Sequence, residues 1–512
     1  MNAYILAHDL GTTGDKATLF DDRGKLVESA FFGYETLYPK PGWAEQVPDR
    51  YWEAFCASSR TIIEKAKISP REIQAVSFSG QMMAALPVDS EGTALRNAII
   101  WADQRSGAEA SLLEKSIGFK RFYSITGNRL SASYPVFKIM WIKKKEPELY
   151  KRTCRFLGVK DYVGARLTGN LVSDFSDGSA MAMLDIKALC WADEIVRAAG
   201  IDTKKLPGLV DSVSVIGRVT RDAAQESGLS FGTAVVKGAG DGPCATAGAG
   251  VVHEGESYFY LGTSTWMGLA TKRPYLDPLQ RTHTFCHFLR GLYAPAGAMQ
   301  SGGGSLRWLK DIMFDHLKKA SRNADVDVYD LISLEAGHAP AGSGGLLFLP
   351  YLMGERCPLW DPDARGCFIG LSATHTKRHI ARAVLEGVCF NMRLIAKAFE
   401  EQGASLGSIR MIGGGAKSRI WCRMLADVMQ RDIHILRYKE EATSIGAAVA
   451  GGVGAGIFSS IDDAGRFAAI EEVLRPEPGN EGIYKEYLDL FQQCYRSLSD
   501  VFRMSKREEE GR

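Results

Sequence analysis

Tyr4-Ile5-Leu6-Ala7-His8-Asp9-Leu10-Gly11-Thr12-Thr13-Gly14 decides the fold, because Ser257-Tyr258-Phe259-Tyr260-Leu261-Gly262-Thr263-Ser264-Thr265 repeats its design about half a chain later. In each stretch a short apolar run reads as a buried strand and stops at a glycine followed by hydroxyl residues. In each the extended pattern then resumes, over Ala17–Phe20 and over Trp266–Thr271. A single turn of this kind is explained as an ordinary hairpin. Two, placed half a chain apart, suggest two related lobes that each offer a hydroxyl-bearing turn to one ligand.

The rest of the chain keeps the same grammar. Ala75–Ser79 reads as a strand entering Gly80-Gln81-Met82-Met83, and 97–101 as another ending in Ala102-Asp103-Gln104-Arg105. Val235-Val236-Lys237 precedes Gly238-Ala239-Gly240-Asp241-Gly242-Pro243 and a run of small residues. In the second half Val384, Val388, Met392, Ile395 and Phe399 fall on one helical face. Ile409–Ile412 reads as a strand entering Gly413-Gly414-Gly415, and Trp421, Met424, Leu425 and Val428 line a further helix. Strands alternating with helices predict α/β layers. The lobe boundary falls where the Gly/Ala run gives way to His253-Glu254-Gly255-Glu256, dividing the chain into 1–250 and 251–512. The tail, 506–510, reads as a solvated, frayed end.

Composition narrows the function classes. The 512 residues carry 62 basic and 60 acidic side chains, a net charge of +2, with 46% apolar residues. That is ordinary globular composition and offers no bulk attraction for nucleic acid or an anionic membrane. Ten cysteines without a C-x-x-C pair argue against zinc ribbons and disulfide scaffolds and fit a reducing compartment. His283, Cys286 and His287 read as strand packing for want of a fourth ligand. No apolar run approaches the ~20 residues of a membrane span, so a cytoplasmic protein is expected. Glycine is the unusual count, at 54 residues, and its clusters suggest several close backbone approaches to a ligand.

Two pieces of chemistry follow. The glycine-hydroxyl turns can present backbone N–H groups and Thr12, Thr13 and Thr263 hydroxyls to phosphates, with Lys16 as a nearby cation. Asp9, at the end of the first strand, would repel such an anion unless a cation such as Mg²⁺ lies between them. Neither turn matches the G-x-x-x-x-G-K-[ST] loop. Asp241, between glycines at the start of a helix-like stretch, reads either as a cap or as a general base that deprotonates a hydroxyl attacking a γ-phosphorus.

The chain resembles the FGGY family of carbohydrate kinases over roughly residues 4–457. The strongest piece runs from Phe348-Leu349-Pro350-Tyr351-Leu352-Met353-Gly354-Glu355-Arg356-Cys357-Pro358 through Asp361-Pro362-Asp363-Ala364-Arg365-Gly366 to Arg382-Ala383-Val384-Leu385-Glu386-Gly387-Val388. Pro135-Val136-Phe137-Lys138-Ile139-Met140-Trp141 is similar to the N-terminal signature. The resemblance implies α/β architecture with two ribonuclease-H-like (actin-like ATPase) lobes and a central cleft. It implies Asp241 as catalytic base and Asp9 as the metal contact. Gly11, Thr12, Thr13, Lys16, Gly262, Thr263, Gly303, Arg307, Trp308, Gly414, Gly415 and Ser418 would bind nucleotide. Gln81, Met82, Met83, Trp101, Asp103, Arg105 and Gly242 would line the sugar pocket. The implied ligands are ATP, Mg²⁺ and a small sugar, with no nucleic acid or membrane partner and a homodimer by analogy. Pro41–Gln46 and Gly413–Asp427 read most like the xylulose-phosphorylating branch. Met83 stands where that branch often has His, and Gly242 where an amide is common; each change removes a hydrogen-bond partner for a sugar hydroxyl, so another ketose or a polyol stays open. Arg356, beside Glu355, is expected in an interlobe salt bridge. A non-catalytic sugar sensor and a substrate-free ATPase are the rival classes; the first would lack the aspartate, the second the sugar-lining segments.

Overall fold

The computed structural model describes residues 3–317, 321 and 326–510, without the side chains of 463, 464, 466 and 505–510. Its first sheet is built from β1 (Tyr4–Leu10), β2 (Gly14–Asp21), β3 (Leu26–Gly33), β4 (Ile73–Gly80), β5 (Val215–Arg218), β6 (Ala234–Val236) and β7 (Ala239–Gly240), in the order β5-β6-β4-β1-β2-β3 with β7 also on β4. β1 is antiparallel to β2 and parallel to β4. It lies at the centre of the layer, which is why Ile5, Leu6, Ala7 and even His8 are all fully buried instead of alternating. His8 survives there because its ring bonds Asp15 at 2.8 Å.

The second sheet contains β8 (Ser257–Leu261), β9 (Thr265–Leu269), β10 (His283–Cys286), β11 (Tyr293–Met299), β12 (Ile409–Ile412), β13 (Ile433–Leu436) and β14 (Ile470–Leu474), ordered β10-β11-β9-β8-β12-β13-β14. β8 is antiparallel to β9 and parallel to β12, the same relations that β1 has to β2 and β4. The repeated turn in the sequence is therefore a repeated piece of topology: two α/β lobes, each with its hydroxyl turn at the mouth of a central hairpin.

The helices that matter for the site are α1 (Pro48–Ala66), α2 (Pro135–Lys145), α3 (Val159–Thr168), α4 (Phe175–Ala180), α5 (Asp241–Gly248), α6 (Gly303–Met313), α7 (Lys377–Glu400), α8 (Arg419–Met429), α9 (Ala442–Gly454) and α10 (Glu481–Glu510). α7 does more than the single apolar face predicts: Leu385, Phe390 and Leu394 are buried as well, because the helix is covered from more than one side, α8 being one of its neighbours. The tail read as frayed keeps a helical backbone to Glu510. Among the described residues no helix is long and apolar enough to cross a membrane.

The run of small residues near the boundary has a packing reason. α5 and α9 cross with their backbones in contact: a Cβ at Gly248 would lie 1.8 Å from the Ala442 carbonyl oxygen, and one at Gly446 would lie 2.1 Å from that of Cys244. Each helix also enters the other half's core. Ile445 and Val449 of α9 pack with Ile5 and Ala7, whereas Ala245 and Ala249 of α5 pack with Tyr258, Ile412 and Leu436. The halves are thus tied at this crossing and again through β10, where Thr284 N–H donates to Gly127 O at 3.0 Å and Cys286 N–H to Ser179 Oγ at 3.0 Å.

Candidate active site

The first turn is fixed from behind. Gly11 N–H donates to the Asp9 and Gly14 carbonyls at 3.0 Å each. The Gln46 amide donates to Thr12 O at 2.7 Å, Tyr34 hydroxyl to Gly11 O at 2.5 Å, and the Gln81 amide to Gly11 O at 3.2 Å and to Gln46 Oε1 at 2.8 Å. Gln81 therefore braces the turn, and its buried Oε1 is left without a partner. Thr13 stands exposed at the tip, and Thr12 Oγ1 accepts the Trp101 indole N–H at 2.9 Å.

Two carboxylates stand at the crossing. Asp9 accepts the Thr443 hydroxyl on Oδ2 at 2.7 Å, while its Oδ1 is buried without a partner. Burial pushes its pKa up, against the pull of the Thr443 bond. Asp241 is the first residue of α5 and accepts the Gly242 N–H on Oδ1 at 2.8 Å. Burial, then the charge of Asp9, pushes its pKa up to about 7. No cation pairs with Asp241 among the described residues. An orphaned buried carboxylate oxygen beside a second desolvated acid is a donor set that a hydrated Mg²⁺ suits, since this ion is held by one or two carboxylates plus substrate phosphates.

The expected sugar-lining residues divide into those that face the gap and those that support it. Met82 is buried beneath Gly240, where a Cβ would stand 2.5 Å from Met82 Cγ. Gly242 has open space, a Cβ there meeting only Met82 Sδ at 3.9 Å. Met83 adopts φ 64°, and its carbonyl accepts Lys138 Nζ at 2.7 Å; the same ammonium reaches Ile100 O at 2.7 Å. Lys138 thus clamps the segments on which Met83 and Trp101 sit. Burial pushes its pKa down to about 7. Trp101 is 41% exposed. Asp103 and Arg105 act behind this wall: Asp103 accepts Ala44 N–H at 2.6 Å and Arg105 Nη2 at 2.7 Å, and Arg105 lies 3.6 Å over Trp43 and 2.8 Å from Glu45.

On the opposite side, the start of α6 docks onto the second turn. Gly302 and Gly304 N–H donate to Thr263 O at 3.0 and 2.9 Å, and Gly303 N–H to Gly262 O at 2.7 Å. Gly303 must lack a side chain, since a Cβ would meet Gly262 O at 2.6 Å. Arg307 Nη2 donates to Thr263 Oγ1 at 2.8 Å, which brings a guanidinium to the turn. Trp308 instead stacks on Phe348 and Phe368, with centroids 5.9 and 6.4 Å away. Gly414 is exposed, whereas Gly415 is pressed against Leu261, whose Cγ would lie 2.3 Å from a Cβ. Ser418 caps α8 through Trp421 N–H and donates to Ser333 at 2.9 Å. Lys16 reaches across the gap to Glu441 at 3.1 Å.

Nothing along the chain marks Thr443, Glu441 or Gln46 for these roles, since Asp9, Lys16 and Thr12 lie far from them in sequence. Lys138 was visible in its motif without a role. The expected Arg356–Glu355 salt bridge is not formed: the Glu355 carboxylate accepts the Gln300 and Arg356 backbone N–H groups, and the Arg356 guanidinium donates to Met299 O.

Comparison with known proteins gives consistent matches. The family model described as the FGGY family of carbohydrate kinases, N-terminal domain, matches residues 4–248, and the C-terminal domain of the same family matches 257–455. A xylulose kinase from Staphylococcus epidermidis is 32% identical over 498 residues, 97% of each chain. A gluconokinase from Bacillus licheniformis is 30% identical over 98% of this chain and 97% of its own. The structure of a ligand-bound xylulose kinase from Lactobacillus acidophilus superposes with a TM-score of 0.90 at 28% identity, covering 98% of this chain and 99% of its own.

Proposed function

We propose, for a chain that belongs to the FGGY family of carbohydrate kinases, that the acceptor is the terminal hydroxyl of a ketose, with D-xylulose converted to D-xylulose 5-phosphate. Membership makes it an ATP-dependent sugar kinase; the acceptor is the proposal. The xylulose kinases among its relatives support it. The observation that carries the mechanism is the placement of Asp241, at the start of α5 beside the open space at Gly242, with no cation paired to it among the described residues; burial and Asp9 push its pKa up to about 7. A sugar hydroxyl must lose its proton as it attacks phosphorus, and a base poised near neutral pH suits that transfer.

In the reaction so read, ATP lies between the two turns and the ketose against Met83, Trp101 and Gly242. The terminal oxygen attacks the γ-phosphorus in line, its proton passes to Asp241, the new O–P bond forms and the bond to the β-phosphate oxygen breaks, releasing ADP. Thr12, Thr13 and Thr263 with Arg307 hold the phosphates, and Lys16 joins them on turning from Glu441. Asp9 would hold Mg²⁺, which supplies charge neutralisation at the phosphates when bound. Closure of the halves about the α5–α9 crossing excludes water as a competing nucleophile. The labour divides near residue 250, the first half taking sugar and base and the second most of the nucleotide. A cytoplasmic homodimer completes the reading.

ADP release is measured with D-xylulose, D-ribulose, erythrulose, glycerol and gluconate. The highest kcat/KM is expected with D-xylulose. A higher value with gluconate, the substrate class named for the Bacillus relative, or with any other acceptor would replace the assignment.

A further inference from the structure

Behind Asp241 lies a buried cluster of charge that no step above uses. Ligand-type oxygens of Asp161, Asp174 and Asp177 lie within 4.8 Å of one another. The place a metal would take is filled by an ammonium: Lys160 Nζ stands 3.0 Å from Asp161, 2.6 Å from Asp174 and 3.0 Å from Asp177, and Lys237 Nζ lies 2.5 Å from Asp161. All five side chains are buried. Paired and hydrogen-bonded charges of this kind make a stiff support, because each partner left alone would be an uncompensated buried ion.

One arm of the cluster reaches the site. Asp174 Oδ2 accepts the Ser176 N–H at 2.9 Å, the Ser212 hydroxyl at 2.8 Å and the Ser176 hydroxyl. With its proton committed to Asp174, Ser176 Oγ presents a lone pair to the Gly240 N–H, 3.0 Å away. Gly240 directly precedes Asp241 and caps α5 without a side chain. Met82 excludes any larger residue there, so the peptide that aims the carboxylate belongs to the residue type with the greatest backbone freedom. Its restraints are the pairing of β7 with β4 and the bond to Ser176.

We infer that Ser176 is a positioning residue: its hydroxyl, oriented by Asp174 and Lys160, fixes the Gly240 N–H and through it the direction of the Asp241 carboxylate. The inference rests on the reading of Asp241 as base. It is tested on the full-length enzyme by steady-state ADP release with its best acceptor. Ser176→Ala is expected to lower kcat by about 30-fold or more, the scale of a base displaced by a fraction of an ångström to about 1 Å, with KM for ATP and acceptor within about threefold. Ser176→Thr, which keeps the hydroxyl, should recover most of kcat. Ser212→Ala removes a different bond to the same Asp174 oxygen and should leave kcat within about twofold. Unchanged kcat in Ser176→Ala, equal losses in the Ser176 and Ser212 variants, or a Ser176→Thr enzyme as slow as Ser176→Ala overturns the inference. Should the alanine variant not fold, Ser176→Cys carries the same expectation through its poorer acceptor, and native kcat in it is refuting. Asp241→Asn is run in parallel. If it turns over normally, the base assignment falls; if it is inactive while Ser176→Ala is unimpaired, only the positioning role does.

Discussion

Asp241→Asn should make the enzyme inactive and, at alkaline pH, more stable. The carboxyl is raised from 3.8 to about 7 by burial and by Asp9. A raised acid binds its proton more tightly folded than unfolded, so the folded state loses stability as pH climbs between those two values. At ~1.4 kcal/mol per tenfold change in affinity, the carboxyl costs folding about 4 kcal/mol at pH 8, where it is ionised, and less than half of that at pH 5, where the folded chain takes up a proton instead. These are ceilings, because the edge facing the cleft keeps some water. The asparagine removes the charge while keeping an oxygen for the Gly242 N–H. Thermal and urea melts at pH 5 and pH 8 should therefore show a gain in the variant that is clearly larger at pH 8. ADP release with saturating sugar should fall by about 10²–10⁴-fold, the range for loss of a general base, with nucleotide affinity by calorimetry nearly unchanged. A gain equal at both pH values would refute the desolvated carboxyl. Retained turnover would refute its role.

The pH dependence of kcat/KM follows from the same group: it should rise with pH and level off above about 7, as the base loses its proton, and a flat profile from pH 5.5 to 8.5 contradicts it. Asp9→Asn should raise the Mg²⁺ concentration for half-maximal activity by about tenfold or abolish activity, since one or two carboxylates are all this ion takes from protein; a Mg²⁺ titration that superposes on wild type counts against the metal role. Glu441→Gln frees Lys16 from its 3.1 Å partner and is expected to lower KM for ATP by about twofold while changing the melting point little, because a pair still open to water is worth roughly 0–1 kcal/mol; an unchanged or raised KM argues that Lys16 has no phosphate role. Lys138→Met leaves the Met83 carbonyl without a donor, at about 1–3 kcal/mol, and the Ile100 carbonyl with the Asp103 N–H alone, so melting should fall and KM for sugar should rise about fivefold or more with KM for ATP unchanged; a rise in the ATP value instead would relocate the clamp.

Much of this protein can be read along the chain, because local features carry it. The doubled strand-turn pattern at Leu10–Gly14 and Leu261–Thr265 depends on neighbours in sequence, and each turn lies at the mouth of a central hairpin in its own sheet. Asp241 is marked by its flanking glycines, and the structure adds why they are needed: Gly240 lies against Met82 and Gly242 keeps open space. The signature motif from Phe348 onward pointed to the family, but its Glu355 and Arg356 do not pair as adjacent opposite charges suggest, since backbone N–H groups claim the carboxylate first.

The lobe grammar, the turns and the acid between glycines are therefore legible residue by residue. The polar groups that support the site from behind become visible only in the folded chain. Asp103 and Arg105 satisfy each other, Trp308 stacks inward, Thr443 reaches Asp9 from the far half of the chain, and Ser176 meets Gly240 across 64 positions of sequence. A buried polar group must find its partner wherever the fold brings one. That choice depends on three-dimensional neighbours which no spacing along the chain encodes.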